Sequence, residues 1–455
     1  MERIIKISTD YLVVGAGAMG LAFADEVINM SNGTGNDTTE ILIVDRRAQP
    51  GGHWNDAYDF VRLHQPSFHY GVSSMNLGSG DKDLCSKFQL LAYFELAMKK
   101  MVATGRVKFL GQCEFKDGKI RSLLDENVVY EVAVRRKTVD ATYLNTSIPS
   151  THPPKYKFEE GVMVVPINHL VKVSQAWEKF VIVGAGKTGI DAILYLLNMN
   201  VSADRIIWIM PNDSWLWNRE WIYLESTMEY IKGILDDIQE ADTLKDLLKK
   251  QESRGIFFRL DNTKWPTKYK CATVSPEEFE KLKEVKNIVR QGRVAEITKE
   301  KIIFQNGSSF PVDGRSLYVD CSSDGLAAKP ACPIFQGKKI VLQSVSMCQQ
   351  VFSASAIAAL EMRMEDKDDK KNAILEPVPH PEHTNDYIRC VIVTDANQKR
   401  NSKDGVGFRW YRNNRLNIVY HLTTLQLFKL GYLDYMKPMA DKLKRIQEKI
   451  EAGQN

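Results

Sequence analysis

Two short stretches of the sequence place three glycines at the point where a buried strand would turn into a helix. In the first, YLVVGAGAMGLAF over residues 11–23, these are Gly15, Gly17 and Gly20. The first glycine of such a turn allows the tight bend, the second lets a pyrophosphate approach the backbone, and the third lets the helix pack on the strand. The N-terminus of the helix, the positive end of its dipole, then faces the phosphates. The stretch therefore predicts a dinucleotide-binding turn.

The same pattern recurs in FVIVGAGKTGIDA over residues 180–192, with Gly184, Gly186 and Gly189. Lys187 lies inside this second turn, where a lysine could contact a nucleotide phosphate. Two interpretations are open. The second turn either binds a second nucleotide or is a structural unit that binds nothing, since a fold does not by itself establish a function.

An acidic residue stands where the first turn needs one. The segment ILIVD reads as a second strand and ends in Asp45, whose carboxylate would accept hydrogen bonds from ribose hydroxyls. Asp45 follows Gly15 by 30 residues, more than the usual spacing of about 20. The excess corresponds to a polar stretch at residues 31–40, which reads as a surface loop and leaves the pattern intact.

The helices and strands that must position these turns belong to a chain of 455 residues. A chain of this length exceeds a single hydrophobic core, so the sequence predicts two or three domains. Hydrophobic residues make up 44% and charged residues 26%, as in ordinary globular proteins. The formal net charge of +4 comes from 61 basic and 57 acidic side chains spread along the chain, which gives no indication of a nucleic-acid partner.

No apolar run is long enough to cross a membrane, and the N-terminus has no signal-peptide pattern. The seven cysteines include no CxxC pair, so we expect reduced thiols, a cytoplasmic location and no disulfide reductase activity. His380 and His383 lack a third ligand at zinc-site spacing, so no metal is assigned.

The segment VDRRAQPGGHWNDAY, residues 44–58, resembles the flavin-containing monooxygenases and the related Baeyer–Villiger enzymes. In those families the ribose acid is followed by a basic residue and then by a Gly-Gly-x-Trp segment that passes along the flavin. The matching residues here, with the histidine between them, are Asp45, Arg46, Gly51, Gly52, His53 and Trp54. The resemblance implies that the first turn binds FAD.

The resemblance also implies a nicotinamide-nucleotide domain inserted into the FAD domain, and an internal repeat supports this. Downstream of each turn, short hairpins precede an apolar strand that closes at Asp140 in one half and at Asp320 in the other. The predicted fold is α/β, with two Rossmann-type dinucleotide-binding domains and a C-terminal helical extension. The predicted segments are the FAD domain (1–150 and 326–376), the NAD(P) domain (151–325, with a helical insertion around 225–251) and the extension (377–455).

Two features of the second half depart from the family. Its usual Phe-x-Gly-x-x-x-His signature is absent ahead of the second turn, which puts oxygen insertion in doubt. The strand after that turn ends with Asn212 and Asp213 and lacks the arginine that would clamp a 2′-phosphate, which favours NADH. Lys187, and Arg219 further on, could restore phosphate affinity, so the choice between NADH and NADPH stays open.

Two further stretches are candidates for the flavin site. The loop over residues 51–78 is rich in polar and aromatic residues without periodicity, and we select Arg62, His64 and Gln65 from it alongside Trp54. His64 could handle a proton or simply bond to the backbone. Around residue 350 a strand gives way to a helix whose N-terminus would stabilise a reduced flavin, or would only pack. Its candidate contacts are Gln350, Val351 and Ser353.

Together these features predict an FAD-dependent oxidoreductase that is reduced by NAD(P)H and acts, like the monooxygenases, on a small organic substrate with O2. The alternatives are a reductase or oxidase that inserts no oxygen and a non-catalytic flavoprotein that senses redox state or scaffolds partners. The C-terminal stretch from Leu416 reads as an amphipathic helix that forms a cover or a homodimer contact. The substrate has no marker in the sequence, and a cluster of four tryptophans in residues 208–221 could line a pocket or form a packing seam.

Overall fold

The computed structural model describes residues 2–32, 38–312, 314–323, 325–326, 329–364, 367–418, 422 and 432–454, with no side chains over 432–438. Part of the polar loop predicted at residues 31–40 and part of the C-terminal stretch predicted from Leu416 therefore lie outside the described residues.

Strands are numbered in chain order. They are β1 Arg3–Val14, β2 Ile41–Val44, β3 Val107–Leu110, β4 Cys113–Lys116, β5 Lys119–Ser122, β6 Val128–Asp140, β7 Lys157–Phe158, β8 Met163–Pro166, β9 Lys179–Val183, β10 Ile206–Ile209, β11 Ser214–Asn218, β12 Phe257–Phe258, β13 Lys268–Val274, β14 Asn287–Val289, β15 Val294–Ile297, β16 Lys301–Phe304, β17 Ser309–Pro311, β18 Ser316–Asp320, β19 Phe335–Gln336 and β20 Lys339–Val341.

The α-helices are numbered in the same way. They are α1 Ala18–Ser31, α2 Lys87–Ala103, α3 Lys187–Asn198, α4 Thr227–Glu240, α5 Leu244–Ser253, α6 Pro276–Leu282, α7 Gln350–Arg363, α8 Asp368–Ile374, α9 Asp386–Asp404, α10 Phe408–Asn413 and α11 Tyr432–Glu451.

The first sheet carries the first glycine turn at the end of its central strand. Its order is β19-β20-β6-β1-β2-β3, and β1 pairs in parallel with both β2 and β6. The antiparallel β4–β5 hairpin extends it beside β6. All four residues of β2 are buried, as expected for a parallel strand covered on both faces. Helix α1, which follows the turn, packs against the almost wholly buried α7.

The second sheet carries the second glycine turn in the equivalent place. Its order is β14-β10-β9-β18-β8, and every pairing is parallel. The chain leaves the first sheet after β6 and returns to it at β19, so the second sheet lies between two segments of the first in sequence. The α/β fold class predicted from the sequence is confirmed.

A smaller unit with its own hydrophobic core joins the second sheet to the C-terminal helices. It consists of the sheet β12-β11-β13 with α4 and α5, and its core is shared with α9 and α11. Trp215 lies in this core, edge-on to Trp265. Within the described part of the chain, no helix is both long and apolar enough to span a membrane.

One cysteine pair differs from the expectation of seven reduced thiols. Cys271 on β13 and Cys348 are joined in a disulfide across 77 residues of chain. The expectation is wrong for these two, because residues far apart in sequence cannot be recognised as neighbours from their spacing. The other five cysteines, Cys85, Cys113, Cys321, Cys332 and Cys390, are free thiols.

Candidate functional site: two glycine turns and the residues between them

The first glycine turn has the backbone geometry that its spacing requires. Gly15 adopts a φ of +107°, which favours glycine because other residues have a steric penalty there. A Cβ on Gly20 would lie 2.0 Å from the Gly15 carbonyl oxygen, so only glycine lets α1 pack this closely. Gly17 is the N-cap of α1 and provides no side-chain cap, which leaves the first-turn N–H groups available to an anion.

Asp45 lies at the end of β2, directly against this turn. Its Oδ2 accepts a hydrogen bond from the Ala16 N–H at 2.7 Å, and its Oδ1 accepts one from the Arg47 N–H at 2.8 Å. Each carboxylate oxygen can accept a second hydrogen bond, so both can still receive a ligand hydroxyl. The backbone bonds thus orient the carboxylate without using up its acceptors.

The Gly-Gly-His-Trp segment lies next to the turn. The Gly51 N–H donates to the Ala16 carbonyl at 2.8 Å. Gly52 approaches Gly17 so closely that a Cβ on it would stand 2.9 Å from the Gly17 Cα. Trp54 is buried, and its Nε1 donates to the Tyr70 hydroxyl at 3.0 Å.

His53, within this segment, and Arg46, shortly before it, differ in their surroundings. His53 stacks on Trp54 with 5.2 Å between ring centroids. Burial, with the nearby charge of Arg47, lowers its pKa to about 4, so the ring is neutral at pH 7. Arg46 is largely exposed and pairs with Glu114 at 3.6 Å.

The second turn repeats the geometry of the first. Gly184 has a φ of +128°, and a Cβ on it would lie 2.6 Å from the Cys321 carbonyl oxygen. A Cβ on Gly189 would lie 2.2 Å from the Gly184 carbonyl oxygen, the counterpart of the Gly20 contact. Gly186 is the N-cap of α3, again without a side-chain cap, and a Cβ on it would meet no described atom within 4 Å. The space at the N-terminus of α3 is therefore open.

A short series of polar contacts joins the segment after Gly-Gly-His-Trp to helix α3 of the second turn. The Tyr58 hydroxyl, four residues beyond Trp54, donates to Asp191 Oδ2 at 2.5 Å. Asp191 also forms an ion pair with Lys187 one helical turn earlier on α3. Burial, and then the charge of Asp191, raise the pKa of Tyr58 well above its usual value. Lys187 therefore has a carboxylate partner at the mouth of the second turn.

His64 lies among cationic side chains from separate elements. Its carbonyl accepts hydrogen bonds from Arg219 Nε at 2.8 Å and from the Thr273 hydroxyl. Burial, together with the charges of Lys187 and Arg219, lowers the pKa of its ring to about 3. The imidazole is therefore neutral, and its buried Nδ1 has no hydrogen-bond partner.

Arg219 and His380 complete the surroundings of His64. Arg219 is buried and pairs with Glu278 at 2.7 Å. Burial raises the pKa of Glu278, but the charge and hydrogen bond of Arg219, with the Ser275 N–H and the charge of Lys187, together lower the pKa overall. Burial lowers the pKa of His380 to about 4, with Lys270 adding to the effect. The cluster thus combines neutral imidazoles with a paired guanidinium.

The remaining predicted residues have simpler environments. Arg62 is exposed and donates to the Leu84 carbonyl at 3.0 Å, while Gln65 is partly buried. In α7, Gln350 is partly exposed and Val351 is buried. The Ser353 hydroxyl accepts hydrogen bonds from the N–H groups of residues 345 and 346 and donates to the carbonyl of residue 349, so it ties the preceding loop to the helix.

Several residues at the site have no marker in the sequence motifs. Arg290 follows β14 and makes a two-pronged contact with Asp213, at 2.9 and 3.0 Å. Tyr58 and Glu278 could not be found from spacing, because their partners are distant in sequence. Asp191 could have been found, since Lys187 and Asp191 are four residues apart on a helix.

The C-terminal region reaches back to the first turn's helix and loop. Buried Arg415 donates to the carbonyls of Val72, Tyr70 and Phe68 at 2.9, 2.8 and 2.5 Å. The Trp410 Nε1 donates to Glu26 of α1 at 2.8 Å. These contacts tie residues 410–415 both to the candidate loop over residues 51–78 and to α1.

Comparison with known proteins gives relatives by sequence and similar solved structures. No family model matches the chain. An uncharacterised protein of Mycobacterium tuberculosis and one of Mycobacterium bovis are each 40% identical to it over 433 residues, which cover 91% of this chain and 79% of the relative. The chain belongs to the family of these mycobacterial proteins.

Solved structures similar to the chain include flavin monooxygenases, the family that residues 44–58 resemble. Oxidized steroid monooxygenase bound to NADP is 13% identical, with 98% of each chain covered and a TM-score of 0.49. A flavin-containing monooxygenase from Stenotrophomonas maltophilia is 12% identical, covering 81% of this chain and 99% of its own, with a TM-score of 0.46.

Proposed function

We propose that the protein is an FAD-dependent oxidoreductase that takes its electrons from NAD(P)H. The observation that carries the proposal is the pair of matching turns, each at the end of a strand that pairs in parallel with both neighbours, with the uncapped helices α1 and α3 behind them. Helices α4, α7 and α9 also lack a side-chain cap, so the glycine turn ahead of the helix is what distinguishes α1 and α3. An uncapped N-terminus behind a glycine turn suits a pyrophosphate.

The residues around the first turn suit FAD. Asp45 would receive the ribose hydroxyls, Gly17 and Gly52 would let backbone approach the pyrophosphate, and Trp54 would wall the pocket. A bound flavin supplies the capacity to accept a hydride and pass electrons to oxygen or a substrate. The protein contributes binding, orientation and exclusion of water.

The second turn suits the hydride donor. The open space at Gly186 leaves room for a pyrophosphate, and Lys187 would exchange its bond with Asp191 for a phosphate oxygen. Arg290 bears on donor choice: its guanidinium pairs with Asp213 and, at 3.5 Å, with Asp261, and it would exchange the more distant carboxylate for a 2′-phosphate. We therefore propose NADPH as the preferred donor. Arg290→Ala should reduce the NADPH-over-NADH preference about tenfold, measured as the ratio of flavin reduction rates.

His64 is proposed as a neutral hydrogen-bonding residue, because its buried Nδ1 has no partner and the pKa of its ring is about 3, too low for efficient proton transfer at pH 7. Arg62 is assigned a weaker role in orienting the loop, since its guanidinium already bonds to the Leu84 carbonyl. In α7, Gln350 and Val351 are proposed contacts of the flavin, and Ser353 supports them.

Oxygen insertion into a small organic substrate is the proposed outcome of the reaction. The second candidate, a reductase or oxidase, is favoured by the missing Phe-x-Gly-x-x-x-His signature. The test is anaerobic rapid mixing of the purified protein with NADPH and NADH, followed by mixing with oxygen. A yellow protein that is reduced by either donor supports the proposal, and release of all reducing equivalents as hydrogen peroxide identifies an oxidase. A protein that binds FAD but is not reduced by either nucleotide would be a sensor or scaffold.

A further inference from the structure

The disulfide between Cys271 and Cys348 joins two parts of the fold that are 77 residues apart in sequence. Cys271 lies on β13 of the smaller unit, and Cys348 lies two residues before α7. Their Cα atoms are 6.5 Å apart, within the usual range for a disulfide. The bond connects an inserted sheet to the helix that packs on α1.

The backbone at both cysteines is held in an uncommon conformation. Cys271 has a φ of +54° and Cys348 a φ of +58°, a region that residues other than glycine seldom occupy. In the pairing of β11 with β13, Trp215 lies opposite Tyr269 but Trp217 lies opposite Thr273, so β13 bulges at Cys271. Bulges redirect a side chain out of the strand's regular alternation. The bulge at Cys271 thus accounts for a side-chain direction that reaches the Cys348 sulfur.

Cys271 has a short connection to the candidate site, and Cys348 lies next to a contact with α9. Thr273, two residues beyond Cys271, donates to the His64 carbonyl, and Arg219 donates to both His64 and Thr273 carbonyls at 2.8 and 3.4 Å. On the other side, the N–H of Met347 donates to the Thr394 hydroxyl at 2.9 Å. The disulfide therefore links the His64 neighbourhood to the loop that leads into α7.

We propose that Cys271 and Cys348 form a site of reversible oxidation that tethers β13 to the start of α7. Cys348 is partly exposed, whereas Cys271 is only 6% exposed, so the thiolate of Cys348 is the one that a hydroperoxide reaches. Its sulfur attacks one oxygen of hydrogen peroxide, the O–O bond breaks, and a sulfenic acid forms as hydroxide leaves and takes a proton from solvent to become water. The Cys271 thiol loses its proton and attacks that sulfur, the S–O bond breaks, and the expelled hydroxide takes up that proton as the second water while the disulfide forms.

The reverse reaction needs a thiol reductant. Two thiol equivalents donate two electrons through a mixed disulfide, most directly at the more accessible Cys348 sulfur. The inference concerns only this chain's own thiols, so it does not depend on FAD or on a hydride donor.

The test uses the full chain, reduced with dithiothreitol, freed of reductant, and treated with hydrogen peroxide. After excess peroxide is removed, alkylation with N-ethylmaleimide in denaturant and mass spectrometry should show five labelled cysteines where the reduced chain shows all seven, with the peptides of Cys271 and Cys348 joined. Cys348→Ser should abolish the joined peptide, and the matched control Cys332→Ser should leave it unchanged. Millimolar glutathione should restore seven labelled thiols without unfolding the protein.

Hydrogen exchange provides the second readout. Oxidation should slow amide exchange in residues 268–274 and 343–349 at least threefold in the wild type and not in Cys348→Ser. Three results would overturn the proposal. The first is that peroxide does not form the disulfide. The second is that glutathione does not reduce the disulfide in the folded protein, and the third is that amide exchange rates are the same in both redox states.

Discussion

Gly186 offers a direct test of whether the second turn binds a nucleotide. Its φ of −82° and ψ of −177° are accessible to any residue, and a Cβ there would meet no described atom within 4 Å. Gly186→Val therefore places its Cβ in open space and imposes no backbone strain. Because valine is a poorer N-cap than glycine, we expect a loss of roughly 1 kcal/mol in the free energy of unfolding. The variant should fold and bind FAD normally.

The effect on the hydride donor should be much larger. The valine side chain would occupy the open space in front of α3, where we place the pyrophosphate, and would block charge-assisted hydrogen bonds from the helix N-terminus. Each such bond is worth on the order of 1.5–3 kcal/mol. Loss of one bond corresponds to a Kd for NADPH that is higher by about 10- to 150-fold.

The assay measures donor affinity and flavin reduction separately. Flavin reduction by NADPH is followed over a range of donor concentrations without oxygen, and dithionite serves as a reductant that needs no binding site. Gly80→Val is a matched control, because Gly80 also has open space around its Cβ position and no positive φ. Wild-type reduction by NADPH in Gly186→Val would refute the assignment and make the second turn a structural element. Loss of FAD from Gly186→Val would refute the division of labour between the turns.

Three further outcomes can be checked on the same purified protein. Asp45→Ala should raise the Kd for FAD by one to two decades, since it removes charge-assisted bonds worth about 1.5–3 kcal/mol; unchanged flavin titrations would assign the ribose to another residue. Glu361→Gln should lower the free energy of unfolding in urea by about 3 kcal/mol, because Glu361 is 2% exposed and pairs with the fully buried Lys371. Asp368 still pairs with that lysine in the variant. A decrease of less than about 1 kcal/mol would contradict this prediction. Burial and nearby cations lower the pKa of His64 to about 3 in the folded protein, whereas the pKa of histidine in an unfolded chain is about 6.5. The unfolded chain therefore binds the proton first, and the free energy of unfolding decreases as the pH falls below about 6.5. His64→Gln should therefore flatten the stability–pH slope by about 1.4 kcal/mol per pH unit between about pH 4 and 6, and an unaltered slope would mean that the folded ring titrates normally.

The sequence by itself was enough to predict the two turns and the α/β class. Each turn depends on contacts between residues only a few positions apart, such as the one that excludes a Cβ at Gly20 or Gly189. Spacing along the chain therefore carries that information. The apolar strand β2 and the acid Asp45 directly after it were predictable for the same reason, because they are contiguous in sequence.

Only the tertiary structure decided which side chains meet between the turns. Arg290 reaches Asp213 across 77 residues because β14 lies beside β10 in the sheet, and sheet order cannot be read from local patterns. The Tyr58–Asp191 bond and the Cys271–Cys348 disulfide likewise join segments brought together by packing. A motif specifies the backbone of a turn through local sterics, whereas the charge and hydrogen-bond partners of a site depend on which distant strand ends lie side by side.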